Sequence, residues 1–460
     1  MASPAHRPSR AKEPVPNLAH TSSNEPLHST GFINSHHVRT GIVLALTAIL
    51  AFVATFAAAS YLDFFNTVKG TGVKYIAQKG EKVTSIVDPN NGEPLNIVLM
   101  GQDTRDGAGN SAIGGTASDE HHADTTMIVQ ISADRSYINL VSIPRDSMVN
   151  APSCETSKGT MASPGTVMFN SIFSSAYNYG GDIASAASCT TAALAQLTGL
   201  NLSLFMVADF QGLKKMIDAV GGVDLCIPQD VSDNYTGLKL SKGMQHLNGN
   251  LATQYARLRH GIGDGSDIMR TTRQQYLIKA LINRVLTKNI LTNSDQLYQL
   301  VHTGISALQM SEQLADLNTL AGLAYSLRNF KTSNLYSRTV PTEAYPSDLN
   351  RVQWASGATA LWSKMKADKP IALSTGTSSK SSKSSDTSSD SDSNSDSTTK
   401  GKVNSKTGLI TESDGTLVDP KTGGTVDPET GIIKDPDTGY SMGLADQYLA
   451  ATVCAVTAQK

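Results

Sequence analysis

From Gly41 to Tyr61 the chain carries no charged residue (GIVLALTAILAFVATFAAASY). Roughly 20 apolar residues in a row are what a helix needs to cross the hydrocarbon of a bilayer. Arg39 precedes the run and Asp63 follows it, and a positive flank keeps its own side in the cytoplasm, so everything after Asp63 is expected outside. A cleaved signal peptide is the competing reading, with Ala57-Ala58-Ala59 as a cleavage site. The long leader and the length of the run favour a retained anchor. Both readings export the remainder, which puts Cys154, Cys189, Cys226 and Cys454 in an oxidising compartment where cysteines pair. Residues 1–40, rich in Pro, Ser, His and Asn without apolar periodicity, are expected to lack structure.

The 460 residues allow one large domain or two ordinary ones with tails. An apolar share of 39% and a pI near 6.6 exclude a typical nucleic-acid binder and a wholly disordered chain. Four cysteines without a CxxC pair argue against a zinc site.

Three apolar runs read as strands, each with charge at one end. Asn96-Ile-Val-Leu-Met-Gly101 leads to Asp103 and Arg105, Asp124 opens the run Asp124-Thr-Thr-Met-Ile-Val-Gln-Ile, and Tyr137 to Ile143 ends in Pro144-Arg145-Asp146. Loops beyond strand ends are where α/β sheets bind ligands. Asp103 and Asp124 are candidate oxygen ligands for Mg²⁺ or Mn²⁺, since Mg²⁺ takes one or two carboxylates with phosphate and water; loop capping by Asp is the alternative. His121 and His122 lack a third spaced ligand and read as loop residues rather than zinc ligands. Ile183–Leu200 and Leu202–Val220 read as helices, followed by a strand at Val223–Ile227. The outcome is an α/β fold with a central sheet covered by helices.

The densest charge lies in Tyr255 to Gln275 (YARLRHGIGDGSDIMRTTRQQ), which gathers Arg257, Arg259, Arg270 and Arg273 around a Gly-rich turn with Asp264 and Asp267. Arg257 and Arg259 alternate with Leu258, so at a strand end both face one side. Arg270 and Gln274, four apart, share one face of a helix starting near Asp267. Converging guanidiniums suit a phosphate or pyrophosphate, because they bind phosphoryl oxygens in pairs and never lose their charge. A solvated, salt-bridged face is the plainer reading.

Taken in order, NIVLMGQDTR, ADTTMIVQIS, VSIPRDS, FNSIFSSAYNYGG, GGVDLC and YARLRHGIGDGSDIMRTTRQQ resemble the motifs of the LytR-CpsA-Psr (LCP) family of Gram-positive cell-envelope assembly. The resemblance covers 95–284 and extends more weakly to about 368. It implies an α/β/α fold with a mixed central sheet, and a membrane-anchored transferase. Such an enzyme moves a glycopolymer from a polyprenyl-pyrophosphate carrier onto peptidoglycan with Mg²⁺, on the outer face of a plasma membrane crossed once. Carried over by position, Asp103 and Asp124 are similar to the metal-binding acids. Arg145, Arg257, Arg259, Arg270 and Gln274 are similar to the pyrophosphate grip, Asp267 to the acid that orients it, and Arg105 and Arg273 to further motif positions. The resemblance implies a catalytic role for Arg145, Arg257 and Asp267, with Arg105, Arg259, Arg270, Arg273 and Gln274 holding the pyrophosphate. Where many members carry Arg two residues before the second acid, this chain has His122, a titratable group in place of a permanent charge. A polyprenyl-pyrophosphate hydrolase and a non-catalytic wall-glycan-binding scaffold are the alternatives. The arginines speak against the scaffold, because neutral glycan does not need them.

A Cys154–Cys189 bridge would pin the loop after Arg145 and leave Cys226 for Cys454, although four cysteines allow three connectivities. Ser374–Lys400 is a Ser-rich acidic linker. Asp419-Pro-Lys-Thr-Gly423, Asp427-Pro-Glu-Thr-Gly431 and Asp435-Pro-Asp-Thr-Gly439 then repeat as serial turns joining short extended pieces, a spacer or a glycan-binding element. Leu444–Val453 reads as a short helix delivering Cys454. The expected organisation is a cytoplasmic segment 1–40, membrane helix 41–62, juxtamembrane segment 63–93, catalytic domain 94–370, linker 371–403 and tethered tail 404–460.

Overall fold

A computed structural model describes residues 27–81, 92–104, 121–234, 236–258, 266–287, 294–372 and 402–455. Arg105, Arg259 and the Ser-rich linker lie outside these residues. The chain divides into two units, 1–63 and 64–460.

Helix α1 (Leu27–Lys69) starts directly after Pro26 and runs through a stretch without proline, so nothing breaks its ladder. Its start at Leu27 corrects the expectation of an unstructured leader up to residue 40. Within it Val38–Lys69 contains an apolar window of mean hydropathy 2.5, none of it buried, and is long and apolar enough to cross a membrane. Gly70 closes it, its N–H donating to the Asn66 carbonyl at 2.9 Å.

The second unit is built on a seven-stranded mixed sheet. Its strands are β1 (Gly72–Val73), β2 (Leu95–Asp103), β3 (His122–Ile131), β4 (Ile138–Ile143), β5 (Leu204–Ala208), β6 (Gln309–Ser311) and β7 (Leu335–Thr339). They lie in the order β1-β6-β5-β2-β3-β4-β7. The β2–β3 and β3–β4 pairs are antiparallel and β5 joins β2 in parallel. The juxtamembrane segment therefore supplies an edge strand. The central strands are apolar on both faces because both are covered. Val98, Ile128 and Val141 face one core with α2 (Phe169–Gly180) and α3 (Ile183–Thr198). Ile97, Met127 and Leu140 face another, against Ile278 and Ile282 of a long helix, α6 (Asp267–Thr287). Alternate residues of a strand point to opposite faces, and here both faces are wanted.

The reading of Leu202–Val220 as one helix is corrected: the segment is β5 followed by α4 (Phe210–Ala219). The apolar run Leu-Phe-Met-Val is better buried as an inner strand, and Asp209 then caps the helix by accepting from the Gly212 N–H at 2.6 Å. A third core joins the hairpin Val223–Ile227/Gly243–Leu247 to α5 (Gly249–Arg257) and to one side of α6 (Asp267–Thr287).

Residues after the linker form a meander of five short strands: β8 (Ile410–Thr411), β9 (Leu417–Val418), β10 (Thr425–Val426), β11 (Ile432–Lys434) and β12 (Ser441–Leu444). Helix α7 (Asp446–Ala451) follows. The repeats are its hairpin turns. In each, the Asp carboxylate accepts backbone N–H groups two or three residues on, as Asp427 does from Glu429 and Thr430 at 3.0 Å, and the closing Gly takes a positive φ. Among the described residues no cluster of three or more His, Cys, Asp or Glu has the makings of a metal site. The meander is not a tethered tail. It packs on β7 and α6, and the Cys226–Cys454 bridge (Cα–Cα 5.9 Å) fastens it. Cys154 and Cys189 form the second bridge, Cα–Cα 5.5 Å.

Candidate active site

Strands β2, β3 and β4 bring their charged ends to one place. Gly101 pairs with Thr125 and Gln102 with Ala123, which leaves Asp124 as the extra residue of a bulge. Bulges re-aim a side chain at the rim of a sheet, and Gly101 allows this one, since a Cβ there would lie 2.9 Å from that of Thr125. Asp103 stands opposite His122 at the end of the same ladder.

Asp124 is held by two guanidiniums. Arg145, just beyond β4, donates through Nη1 to Asp124 Oδ2 at 2.9 Å, and Arg270 Nη1 approaches the same oxygen at 3.4 Å. Asn170, near the start of α2, donates to Asp124 Oδ1 at 3.4 Å. Asp267 completes the ring: its Oδ1 lies 2.9 Å from Arg145 Nε and 2.6 Å from Arg270 Nη2. Asp146 stands 3.6 Å from Arg145 and 3.0 Å from Arg351. Side-chain exposure is 20% for Arg145, 14% for Asp124, 11% for Asp267 and 5% for Arg270, so the ring is shielded yet open at Arg145.

The two acids titrate in opposite directions. Burial alone would raise the Asp124 carboxyl, but Arg270 and Arg145 outweigh it and hold it below the usual carboxylate range. At Asp267 burial dominates, and the neighbouring Asp146 and Asp124 add to it. The carboxyl is pushed up despite Arg270 and Arg145. Three carboxylates (Asp124, Asp146, Asp267) balance three guanidiniums (Arg145, Arg270, Arg351), so this cluster is neutral before any ligand arrives.

The other expected residues are placed less directly. Arg257 ends α5, a helix capped by Asn248, rather than a strand as the alternation suggested. The buried spacing of Ala252, Tyr255 and Ala256 is what makes it helical. Its guanidinium lies 4.8 Å from the Phe210 ring. Helix α6 begins at Asp267 as expected, and Arg270 and Gln274 are both buried on it. Gln274 donates to the Ala256 carbonyl at 3.1 Å, and Arg273, 2% exposed, donates to the Leu258 carbonyl. Both tie α6 to the end of α5. His121 is buried, bonded to Gln102 and stacked on Tyr177 at 3.7 Å. Asn170, Asp146 and Arg351 join the site without a chemical signal of their own: Asn170 lies within FNSIFSSAYNYGG and Asp146 beside Arg145, whereas no sequence pattern marks Arg351.

The LytR_cpsA_psr family model matches residues 60–369. "Probable cell wall biosynthesis protein LcpB" of Corynebacterium glutamicum is 28% identical over 331 residues, 70% of each chain. LcpA of the same organism, a cell wall biosynthesis protein, is 27% identical over 53% of this chain, and the match spans only 49% of LcpA. The polyisoprenyl-teichoic acid–peptidoglycan teichoic acid transferase TagU of Bacillus licheniformis is 24% identical over 52% of this chain and 68% of its own. Similar solved structures include a LytR-Csp2A-Psr enzyme from Actinomyces oris, 21% identical over 64% of this chain and 94% of that one, with a TM-score of 0.45. TagT bound to LIIa-WTA is 19% identical over 64% and 98%, with a TM-score of 0.46. Because the family model spans two thirds of its length, the chain belongs to the LytR-CpsA-Psr family.

Proposed function

We propose that this chain transfers a glycopolymer from a polyprenyl-pyrophosphate carrier to peptidoglycan by phosphoryl transfer, anchored by α1 with its second unit outside the cell. The observation that carries the reading is the ring Asp124–Arg145–Asp267–Arg270, which holds two guanidiniums in fixed directions at the mouth of the sheet. Phosphoryl transfer asks a protein for positioning and charge stabilisation rather than covalent chemistry. Arg145, the most open member, would meet the phosphoryl oxygens first, with Arg270 behind it. Asp267 fixes the direction of both.

Asp103 and Asp124 would hold Mg²⁺ or Mn²⁺. Two carboxylates at the ends of paired strands fit the small protein share such ions take, and a neutral cluster cannot by itself balance an incoming pyrophosphate. When bound, the ion neutralises charge on the phosphoryl oxygens. Arg105, Arg257 and Arg259 would add cationic reach at the rim. As the acceptor sugar hydroxyl forms its O–P bond at the glycan-linked phosphorus, the P–O bond to polyprenyl monophosphate breaks. The departing monophosphate can take up the hydroxyl proton, so no strong protein base is required. The carrier's apolar chain would lie under α3 and α4.

The test uses the full chain in detergent with a glycan-bearing polyprenyl pyrophosphate and Mg²⁺, with and without peptidoglycan fragments, beside Arg145→Ala and Asp124→Ala. Polyprenyl monophosphate together with acceptor-linked glycan, lost in both variants, is the expected result. Monophosphate without linkage would make it a hydrolase. No turnover and no lipid binding would favour a glycan-binding scaffold.

A further inference from the structure

The C-terminal meander touches α6 through a polar stripe, beside which Leu444 packs on the core that includes Tyr276 and Leu277. Along β12, Met442 points into the meander's own core with Val426 and Ile433, whereas Ser441 and Gly443 face α6. Ser441 Oγ lies 2.9 Å from Thr272 Oγ1. A Cβ at Gly443 would lie 2.9 Å from Gln275 Oε1. Asp446 Oδ1 pairs with Lys279 Nζ at 2.9 Å. Thr272, Gln275 and Lys279 recur at three- and four-residue spacing and so form one stripe of the helix. All three are buried, at 0%, 2% and 8% exposure.

The contacts on that stripe reach the site. Thr272 is two residues from Arg270. Gln275 passes the contact on: its Nε2 donates to Ser142 Oγ at 3.2 Å, on the strand that leads into Arg145. A hydroxyl pair, an amide and an ion pair fix direction and distance, which an oily contact does not. The meander is further held at Ser333, whose carbonyl accepts from Lys421 Nζ at 3.1 Å, and Arg338 of β7 lies within the field of Asp419 and Asp435.

We propose that the meander is a positioning element of the phosphoryl-transfer site. Ser441, Gly443 and Asp446 are positioning residues that set α6 against β4, so that Arg270 and Arg145 meet over Asp124. The inference rests on the proposed function and assigns the repeats a role inside the enzyme rather than on the wall.

The experiment compares full-length Gly443→Val, Ser441→Ala and Asp427→Ala with the unaltered chain. It reads kcat and KM on glycan-bearing polyprenyl pyrophosphate, and backbone hydrogen exchange over 267–275. Asp427 serves the turn between β10 and β11, so its loss weakens the meander without altering the face on α6. Gly443→Val is expected to lower kcat between about 10- and 100-fold, the scale of a misplacement of about 1 Å, with KM little changed and faster exchange at 267–275. Ser441→Ala is expected to do the same more weakly, and Asp427→Ala to lower Tm while leaving kcat and that exchange in place. The proposal is overturned if Gly443→Val and Ser441→Ala keep the kcat and exchange of the unaltered chain, or if Asp427→Ala lowers kcat as much as they do. If the unaltered chain shows no turnover, the proposed function fails and the exchange comparison alone decides whether the meander positions α6.

Discussion

Asp267 Oδ1 lies 2.6 Å from Arg270 Nη2, one turn along the same helix, and 2.9 Å from Arg145 Nε on a different element. One carboxylate at the start of α6 therefore orients both guanidiniums that reach Asp124. It sits at the helix N-terminus, where negative charge is favoured, yet burial pushes its carboxyl up. Asp267 should therefore protonate before Asp124 as pH falls. The acid limb of the pH–rate profile should lie above the ordinary carboxylate range and belong to Asp267. Asp267→Asn, which mimics the protonated form, should lose that limb and lower kcat roughly 10- to 100-fold, the usual cost of an orienting partner. An unchanged limb in the variant would assign it elsewhere.

The same two acids affect stability with opposite sign. Asp124 is lowered in the folded chain, so its contribution is complete above the ordinary carboxylate range and is lost as pH falls through its folded value. Asp267 is raised, so its ionisation opposes folding, and the penalty grows as pH rises from the ordinary carboxylate range through its higher folded value. Asp267→Asn should therefore flatten the rise of that penalty, and Asp124→Asn should remove stability mainly at neutral pH. Urea unfolding of the two variants across pH 3 to 8, a range set by ordinary carboxylate pKa values of about 4, measures both.

Arg270→Lys keeps the charge and loses the fork. An ammonium is a single point charge and cannot hold the directions to Asp124 and Asp267 that two guanidinium nitrogens hold now. Turnover should fall about 10²- to 10³-fold, as for loss of one preorganised donor. A loss under about threefold would show that net charge alone suffices.

Much of this site can be read from the order of residues, and the exceptions have physical causes. Three strand ends carrying Asp103, Asp124 and Pro-Arg145 follow from apolar runs that stop at charge, and the four-residue spacing of Arg270 and Gln274 placed α6 correctly. Alternation misled at Arg257, because a three-residue pattern cannot outweigh a capped helix whose apolar positions extend back to Ala252. The helix reading of Leu202–Val220 missed the strand Leu204–Ala208 because short apolar runs fit a buried strand as well as a helix. The Asp-Pro-x-Thr-Gly repeats announced turns but not their partner. Their anchoring depends on Gly443 admitting Gln275 and on Lys279 finding Asp446, contacts between residues far apart in the chain that no local pattern encodes.

Gly101 precedes the bulge that turns Asp124 toward the arginines, and its missing side chain is what lets Thr125 approach. Gly101→Val would set a branched side chain against a branched neighbour across an antiparallel pair, with no flexible end to yield. Overpacking of this kind costs about 1–3 kcal/mol, and here β2 and β3 would have to part where the bulge forms. Because Asp124 is the residue displaced, the activity loss should exceed what the lost stability explains. Turnover measured at a temperature where both chains are fully folded should still fall at least about tenfold, on the scale of small misplacements at a reaction centre. Equal turnover there would mean that the bulge does not set the position of Asp124.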